Sequence, residues 1–286
     1  MTMGRYRKML VAVDGSDSSM HALRESFKLA SNEKSWITVV SVVPKYTGDL
    51  SFVAIGNVMA SLRKPCEEAL SRAEKMARDD RALIKTVCEE GEIYERIVDL
   101  AEAENCDLII IGRRGMGRLE RTLVGSVTAR VIGHSQRDVL VVPNNSRVGW
   151  ERILVATDGS RYSKVAAERA IDFAKSYGGE LRVVSVVDVP SEFYAEAPDA
   201  VEDMIGKAKG FVKDVKDQAE PRGIKTETFV AEGEAYQVIT GLAKTQGVNV
   251  IIVSSHGRTG LKRLLMGSVA EKVIGHAHCP VLVVRS

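Results

Sequence analysis

The chain is written twice. KMLVAVDGSDSSMHAL at 8–23 returns as RILVATDGSRYSKVAA at 152–167, and VVSVVP at 39–44 returns as VVSVVD at 183–188, both at an offset of 144. GEIYERIVDLAEAENCDLIIIG at 91–112 returns as GEAYQVITGLAKTQGVNVIIVS at 233–254, and LVGSVTARVIGHSQRDVLVVP at 123–143 as LMGSVAEKVIGHAHCPVLVVR at 265–285, at an offset of 142. Two residues are therefore missing from the second copy between these blocks. A repeat this long fixes the architecture before any element is assigned, because each copy must fold on the same plan. PNNSRVG at 143–149 has linker composition and sets the expected domains at 1–146 and 147–286. Each half is long enough to bury its own core.

Within each copy, short Val/Ile/Leu runs alternate with stretches of helical period, and the runs are apolar throughout, as in strands covered on both faces. In the first copy this predicts strands near 9–13, 36–43, 84–88, 107–111 and 138–142, with helices near 17–31, 57–79, 92–104 and 120–133. Met20, Leu23, Phe27 and Ala30 form one stripe on the first helix; Ile93, Ile97, Leu100 and Ala101 form another on the third. Strict alternation of strand and helix implies an open parallel sheet with helices on both faces, an α/β class repeated in each half. Such sheets bind ligands outside the carboxyl ends of their strands.

Charge and composition exclude several partners. Forty Lys+Arg against 38 Asp+Glu give net +2, spread as +1 in each half, which is too balanced to point to nucleic acid. No apolar run approaches the roughly 18 residues of a membrane span, and Asp14 and Gly15 end the first apolar run too early for a signal peptide, so a cytoplasmic protein is expected. Cys66, Cys88, Cys106 and Cys279 show no CxxC spacing, so they read as single buried thiols, with neither a zinc site nor a disulfide framework.

The loops after strands one and four hold the chemistry. Asp14-Gly15-Ser16, repeated as Asp158-Gly159-Ser160, places a carboxylate that can hold a metal ion or a ligand hydroxyl, or that can make an Asx turn into a helix capped by Ser16. After strand four, GRRGMGRLERTLVGS at 112–126 spaces Gly112, Gly115 and Gly125 before Ser126. Glycines admit phosphates close to the backbone, and their N–H groups beside a helix N-terminus form an anion-binding concavity. Arg113, Arg114, Arg118 and Arg121 surround it with positive charge. The same glycines can equally serve turns and close helix packing. No Gly-Lys-Ser/Thr and no GxGxxG stands at a suitable place, so neither a Walker P-loop nor a dinucleotide fold is indicated.

With Gly-x2-Gly-x9-Gly-Ser after strand four, Asp-Gly-Ser after strand one and the closing strand VLVVP, the chain resembles the universal stress protein family in its tandem form over nearly its whole length. The resemblance implies an adenine nucleotide alpha hydrolase-like sheet of five strands in the order 3-2-1-4-5, with ATP in the crevice between strands one and four. It also implies last strands that pair across a pseudo-twofold axis, within one chain as a pseudo-dimer or between chains as a homodimer. Carried over by position, Ala12, Val13 and Asp14 border the nucleotide, with Asp14 beside the ribose, the phosphates or a bound Mg2+ or Mn2+. Val42 contacts adenine, and Gly112, Arg113, Gly115, Gly125, Ser126 and Val127 hold ribose and phosphates. The second copy offers Asp158, Val186, Gly257, Gly267 and Ser268, but Ser254 stands in place of Gly112. A need for positive φ or close ligand approach at that position would crowd the second site. His256, Arg258, Lys262 and Arg263 keep a basic rim there.

No general base or nucleophile is recognisable beside the cradle, so the expected function is a stress-response regulator that binds ATP without fast turnover. The alternatives are a nucleotide-free signalling scaffold and a slow ATP hydrolase. His276-Ala277-His278-Cys279 imitates a metal box but is read as the turn into the last strand, since a site needs three or four convergent ligands. Glu67-Glu68 and Asp79-Asp80 are read as the solvated side of the second helix. Tyr46, Phe52, Phe193 and Tyr194 lie in the segments that differ most between copies, as lids or plain loops.

Overall fold

The computed structural model describes residues 6–45, 58–115, 124–257 and 266–285, with the side chains of 32, 33, 58 and 59 left aside. The chain forms two compact units, Met1–Asn145 and Ser146–Ser286. The first runs β1 (Lys8–Ala12), α1 (Asp17–Glu33), β2 (Trp36–Pro44), α2 (Val58–Asp79), β3 (Ile84–Gly91), α3 (Ile93–Ala103), β4 (Leu108–Gly112), α4 (Ser126–His134) and β5 (Asp138–Val142). Its strands lie in the order β3-β2-β1-β4-β5, every neighbouring pair parallel.

The second unit runs β6 (Arg152–Ala156), α5 (Arg161–Tyr177), β7 (Glu180–Val187), α6 (Ser191–Glu196), α7 (Pro198–Ala219), β8 (Thr226–Glu232), α8 (Ala235–Thr245), β9 (Val250–Ser254), α9 (Ser268–His276) and β10 (Val281–Val284). Its order, β8-β7-β6-β9-β10, is the same plan, also parallel throughout. Among the described residues no helix is long and apolar enough to cross a membrane.

Burial explains the apolar runs. Every residue of β4 and β5 is buried, as is every residue of β1 after Lys8, because helices cover both faces of the sheet. Met20, Leu23, Phe27 and Ala30 all face the core from α1, as do Ile97, Val98 and Ala101 from α3. Between β1 and β4 the chain reverses its direction of travel across the sheet, which opens a crevice at the strands' carboxyl ends.

Two expectations need correction. The sequence periodicity placed the fourth helix near 120–133, whereas α4 begins at Ser126: Gly125 is extended (φ −62°, ψ 143°), its N–H donating to the Arg113 carbonyl at 3.0 Å, so 124–125 form an approach to the helix. The expected residues 120–123 lie outside the described part. Cys66 and Cys88 are not single thiols: α2 crosses β3 so that they form a disulfide, with Cα atoms 6.4 Å apart. Cys106 and Cys279 are buried free thiols, and burial pushes their pKa values up to about 11 and about 12.

Candidate functional site

β1 delivers Asp14 to the mouth of the crevice. Val13 N–H donates to the Val40 carbonyl at 2.8 Å, holding the strand end beside β2, and Gly15 turns the chain at φ +83°. Asp14 Oδ1 accepts from Ser16 N–H at 3.0 Å and from Ser16 Oγ at 2.6 Å, while Asp14 N–H donates to Ser19 Oγ. Ser16 Oγ in turn caps α1 through Ser19 N–H. The Asx turn and the cap expected from the tripeptide are thus both present, and they occupy Oδ1. The other carboxylate oxygen, Oδ2, lies against Gly115, where a Cβ would collide with it.

β4 and α4 form the opposite wall. The Gly112 carbonyl accepts from Thr128 Oγ1 at 3.0 Å, the Arg113 carbonyl accepts from Gly125 N–H, and Arg114 N–H reaches Ser18 Oγ at 3.5 Å. These bonds pin both ends of the glycine loop. Gly125 gives α4 no side-chain cap, and the first turn of α4 contains no acidic residue. The N–H groups of Ser126 and Val127 therefore belong to a helix end that its N-cap residue does not satisfy with a side chain, at the positive pole of the helix dipole. Burial, and then the neighbouring Arg114, hold the Arg113 guanidinium below its usual pKa.

Gly112 has a role of its own. Its φ is not in the left-handed region. A Cβ there would meet Ser18 carbonyl carbon at 2.8 Å and Ser18 oxygen at 2.9 Å, so the residue is small because α1 packs on it. The helix-packing alternative raised by the sequence thus accounts for this glycine without a ligand. Ser254, at the same place in the second unit, turns its Oγ onto the His256 carbonyl at 2.7 Å.

Val42 and Ala12 sit at the other side of the crevice. β2 is buried from Ile37 to Ser41, but Val42 is half-exposed; Val186 breaks the burial of β7 in the same way. Ala12 and Val13 are buried. Asp158 repeats the turn of Asp14, with Oδ1 accepting from Ser160 N–H at 3.0 Å and Ser163 Oγ in the role of Ser19. Gly257 faces Asp158 Oδ2, and Gly267 with Ser268 opens α9 without a side-chain cap. Here, however, Glu271 stands in the first helical turn.

Some residues escaped the sequence reading. Arg72 on α2 donates to the Gly15 carbonyl at 2.7 Å, and Phe211 on α7 presses on Gly159, where a Cβ would fall 2.5 Å from its ring Cδ1. These two contacts come from different residues in the two copies, so the repeat gave no signal. Ser19 and Ser163 recur at one place in both copies and were legible there. Arg118, Arg121, Arg258, Lys262, Arg263, Tyr46 and Phe52 lie outside the described residues. Phe193 and Tyr194 are exposed on the short helix α6. His276 ends α9 and packs against Tyr236 with the two rings tilted, His278 is exposed, and no group of three or more His, Cys, Asp or Glu able to hold a metal ion occurs among the described residues.

The universal stress protein family matches the chain twice, over residues 5–143 and 149–285. The chain belongs to this family. A universal stress protein of Mycolicibacterium smegmatis is 27% identical over 297 residues, spanning 97% of this chain and 96% of its own. One from Methanocaldococcus jannaschii is 40% identical over 141 residues, which is 48% of this chain and 82% of the relative. Among solved structures, a universal stress protein from Archaeoglobus fulgidus superposes with a TM-score of 0.72 at 22% identity, over 97% of this chain and 96% of that one, and so shares the fold. The tandem arrangement of universal stress protein repeats is thus a property of this chain.

Proposed function

We propose that the first unit binds ATP and that this universal stress protein acts as a nucleotide-dependent regulator without fast turnover. The observation that carries the reading is the uncapped N-terminus of α4 at Gly125–Val127, bonded through Gly125 to Arg113 at the end of β4, in the loop whose Gly115 lies against Asp14. That end of the helix suits the phosphates, with Arg113 and Arg114 adding charge. Val42, half-exposed at the end of a buried strand, offers backbone groups to the base. Asp14 Oδ2, the carboxylate oxygen not used by the Asx turn, would help hold Mg2+ or Mn2+, and the ion would supply the positive charge that compensates the phosphates. The sequence carries no recognisable general base or nucleophile motif beside the cradle, which favours retention over hydrolysis.

For the second unit, the nucleotide-free reading has its own support. Glu271 puts a negative charge into the first turn of α9, where the first unit has Ala129, and His256 replaces Arg114. We therefore assign one nucleotide per chain. Denaturing freshly purified protein and quantifying released nucleotide tests both statements. One ATP per chain is the expected result; none, together with no calorimetric response to ATP and Mg2+, defeats the reading.

A further inference from the structure

Cys66 on α2 and Cys88 on β3 are bonded to each other in the first unit. The repeat supplies a comparison inside the same chain: the matching positions are Ala208 on α7 and Val230 on β8. The second unit builds the same helix on the same strand without sulfur, so the fold does not require the bond. The two sulfurs also differ in access. Cys66 is 3% exposed, whereas Cys88 is half-buried on β3, the edge strand of its unit.

We propose that Cys66–Cys88 is a reversible thiol–disulfide exchange site, with small disulfides such as oxidised glutathione as its substrate, that sets how firmly the first unit holds its ligand. From the dithiol, Cys88 loses its proton to solvent and its thiolate attacks one sulfur of the small disulfide. That S–S bond breaks, one glutathione thiolate leaves, and Cys88 carries the mixed disulfide. The Cys66 thiolate then attacks Cys88 Sγ, the second glutathione thiolate leaves, and the internal bond closes. Two protein sulfurs are oxidised, two glutathione sulfurs are reduced, and the two released protons convert the leaving thiolates to thiols. Reduced glutathione runs the sequence backwards, entering at the accessible Cys88.

The bond joins α2 to β3 on the β2 flank of the ligand crevice, away from the wall formed by β4 and α4. On α2, about one turn beyond Cys66, Ala69 sits 3.6 Å from where a Cβ on Gly15 would lie, and Arg72 donates to the Gly15 carbonyl in the turn that presents Asp14. On the strand side, Cys88 pairs with Ser41, the residue before Val42. Closing the bond fixes α2 against this strand edge and pre-organises Arg72 on the turn, so a bound ligand leaves more slowly from the oxidised form. This ligand effect rests on the nucleotide reading above; the exchange chemistry does not.

The test uses the full chain carrying Gly267→Asp, which removes the second unit's helix end from consideration. Samples equilibrated in a series of glutathione buffers are denatured in iodoacetamide and mapped by mass, while release of a fluorescent ATP analogue is timed in parallel. Cys66 and Cys88 are expected to pass together between alkylated and bonded forms, and release is expected to slow by roughly fivefold in the bonded form. A pair that stays alkylated under excess oxidised glutathione, or stays bonded under excess reduced glutathione, overturns the exchange site. An interconverting pair with one unchanging release rate overturns the coupling and leaves nucleotide binding standing. No binding in either form removes the ligand effect while the thiol map still decides the exchange. Cys66→Ala/Cys88→Val, which copies the second unit, should fold and release at the reduced rate in every buffer; a surviving redox response there overturns the proposal.

Discussion

The Asp14 carboxylate lies against Gly115 so closely that Oδ2 fills the space a Cβ on residue 115 would need, and Asp158 stands 3.0 Å from the same point on Gly257. A methyl at 115 must push the carboxylate aside, and Asp14 moves only by disturbing the Asx turn held through Oδ1. Gly115→Ala is therefore expected to weaken ATP binding about tenfold, equivalent to roughly 1.4 kcal/mol. Gly257→Ala, with more room, should perturb its own unit less. Calorimetric titration of both variants checks this; equal affinity in Gly115→Ala and the parent would detach Asp14 from the ligand.

Gly125→Asp separates stability from binding. Aspartate is a favoured N-cap, the φ of residue 125 suits any L residue, and its Cβ would meet Arg113 oxygen and Arg114 Cα at 3.4 Å, a fit that asks for shifts of a few tenths of an ångström. The new carboxylate would take the helix N–H groups for itself and repel phosphate. The expected outcome is a melting temperature held or slightly raised, with ATP binding to the first unit abolished. If binding survived, the phosphates would have to lie elsewhere.

The sequence made the sheet readable because burial on both faces leaves continuous apolar runs, as in β4 and β5, and because the repeat shows each run twice. It also exposed the Asp14 turn, whose contacts are nearly all within five residues. What it hid depends on the way helices cross the sheet. The Cys66–Cys88 bond joins residues 22 apart that meet only when α2 lies over β3. The contact of Arg72 with Gly15 is 57 residues distant and has no counterpart in the second copy, where residue 214 is Asp. The start of α4 at Ser126, later than 120, depends on Gly125 being extended with its N–H on the Arg113 carbonyl, a contact across the glycine loop.

Gly112 and Ser254 bear on the question the sequence raised about the second unit. Since the missing Cβ of Gly112 faces the backbone of Ser18, Gly112→Ala should lower stability by about 1–3 kcal/mol through overpacking of α1 on β4. Ser254→Gly should leave the nucleotide count per chain unchanged, because Ser254 turns onto the His256 carbonyl and position 254 does not need a positive φ. Urea denaturation checks the first expectation and nucleotide quantification the second. A second nucleotide appearing in Ser254→Gly would show that the hydroxymethyl group does close that site.

Glu271 gives the second unit a more local obstacle. A carboxylate in the first turn of a helix interacts favourably with the dipole and so competes with an incoming phosphate. Glu271→Ala should strengthen ATP binding to the second unit by about 0.3–1 kcal/mol, a few-fold in affinity, with the larger effect at low ionic strength. The measurement is a salt series of titrations in the Gly125→Asp background, in which only the second unit contributes. An affinity indifferent to both the substitution and the salt would exclude phosphate from the α9 terminus.

Cys106 and Cys279 predict the alkaline limit of stability. Burial is the first cause of both shifts, and the nearby Glu104 and Asp107 add to it for Cys106, so the folded thiols ionise near about 11 and about 12 against an ordinary 9.0. Above pH 9 the unfolded chain releases these protons while the folded chain keeps them. The unfolded state then binds fewer protons, and stability falls as pH rises. The contribution is complete below pH 9 and is lost progressively toward about pH 11 for Cys106 and about pH 12 for Cys279, at a rate of up to about 1.4 kcal/mol per pH unit for each thiol. Urea midpoints of the parent should therefore drop more steeply between pH 9 and pH 10.5 than those of Cys106→Ala/Cys279→Ala, whatever the offset between the two proteins at pH 7. Parallel slopes would mean that the two thiols reach solvent and ionise in the folded chain.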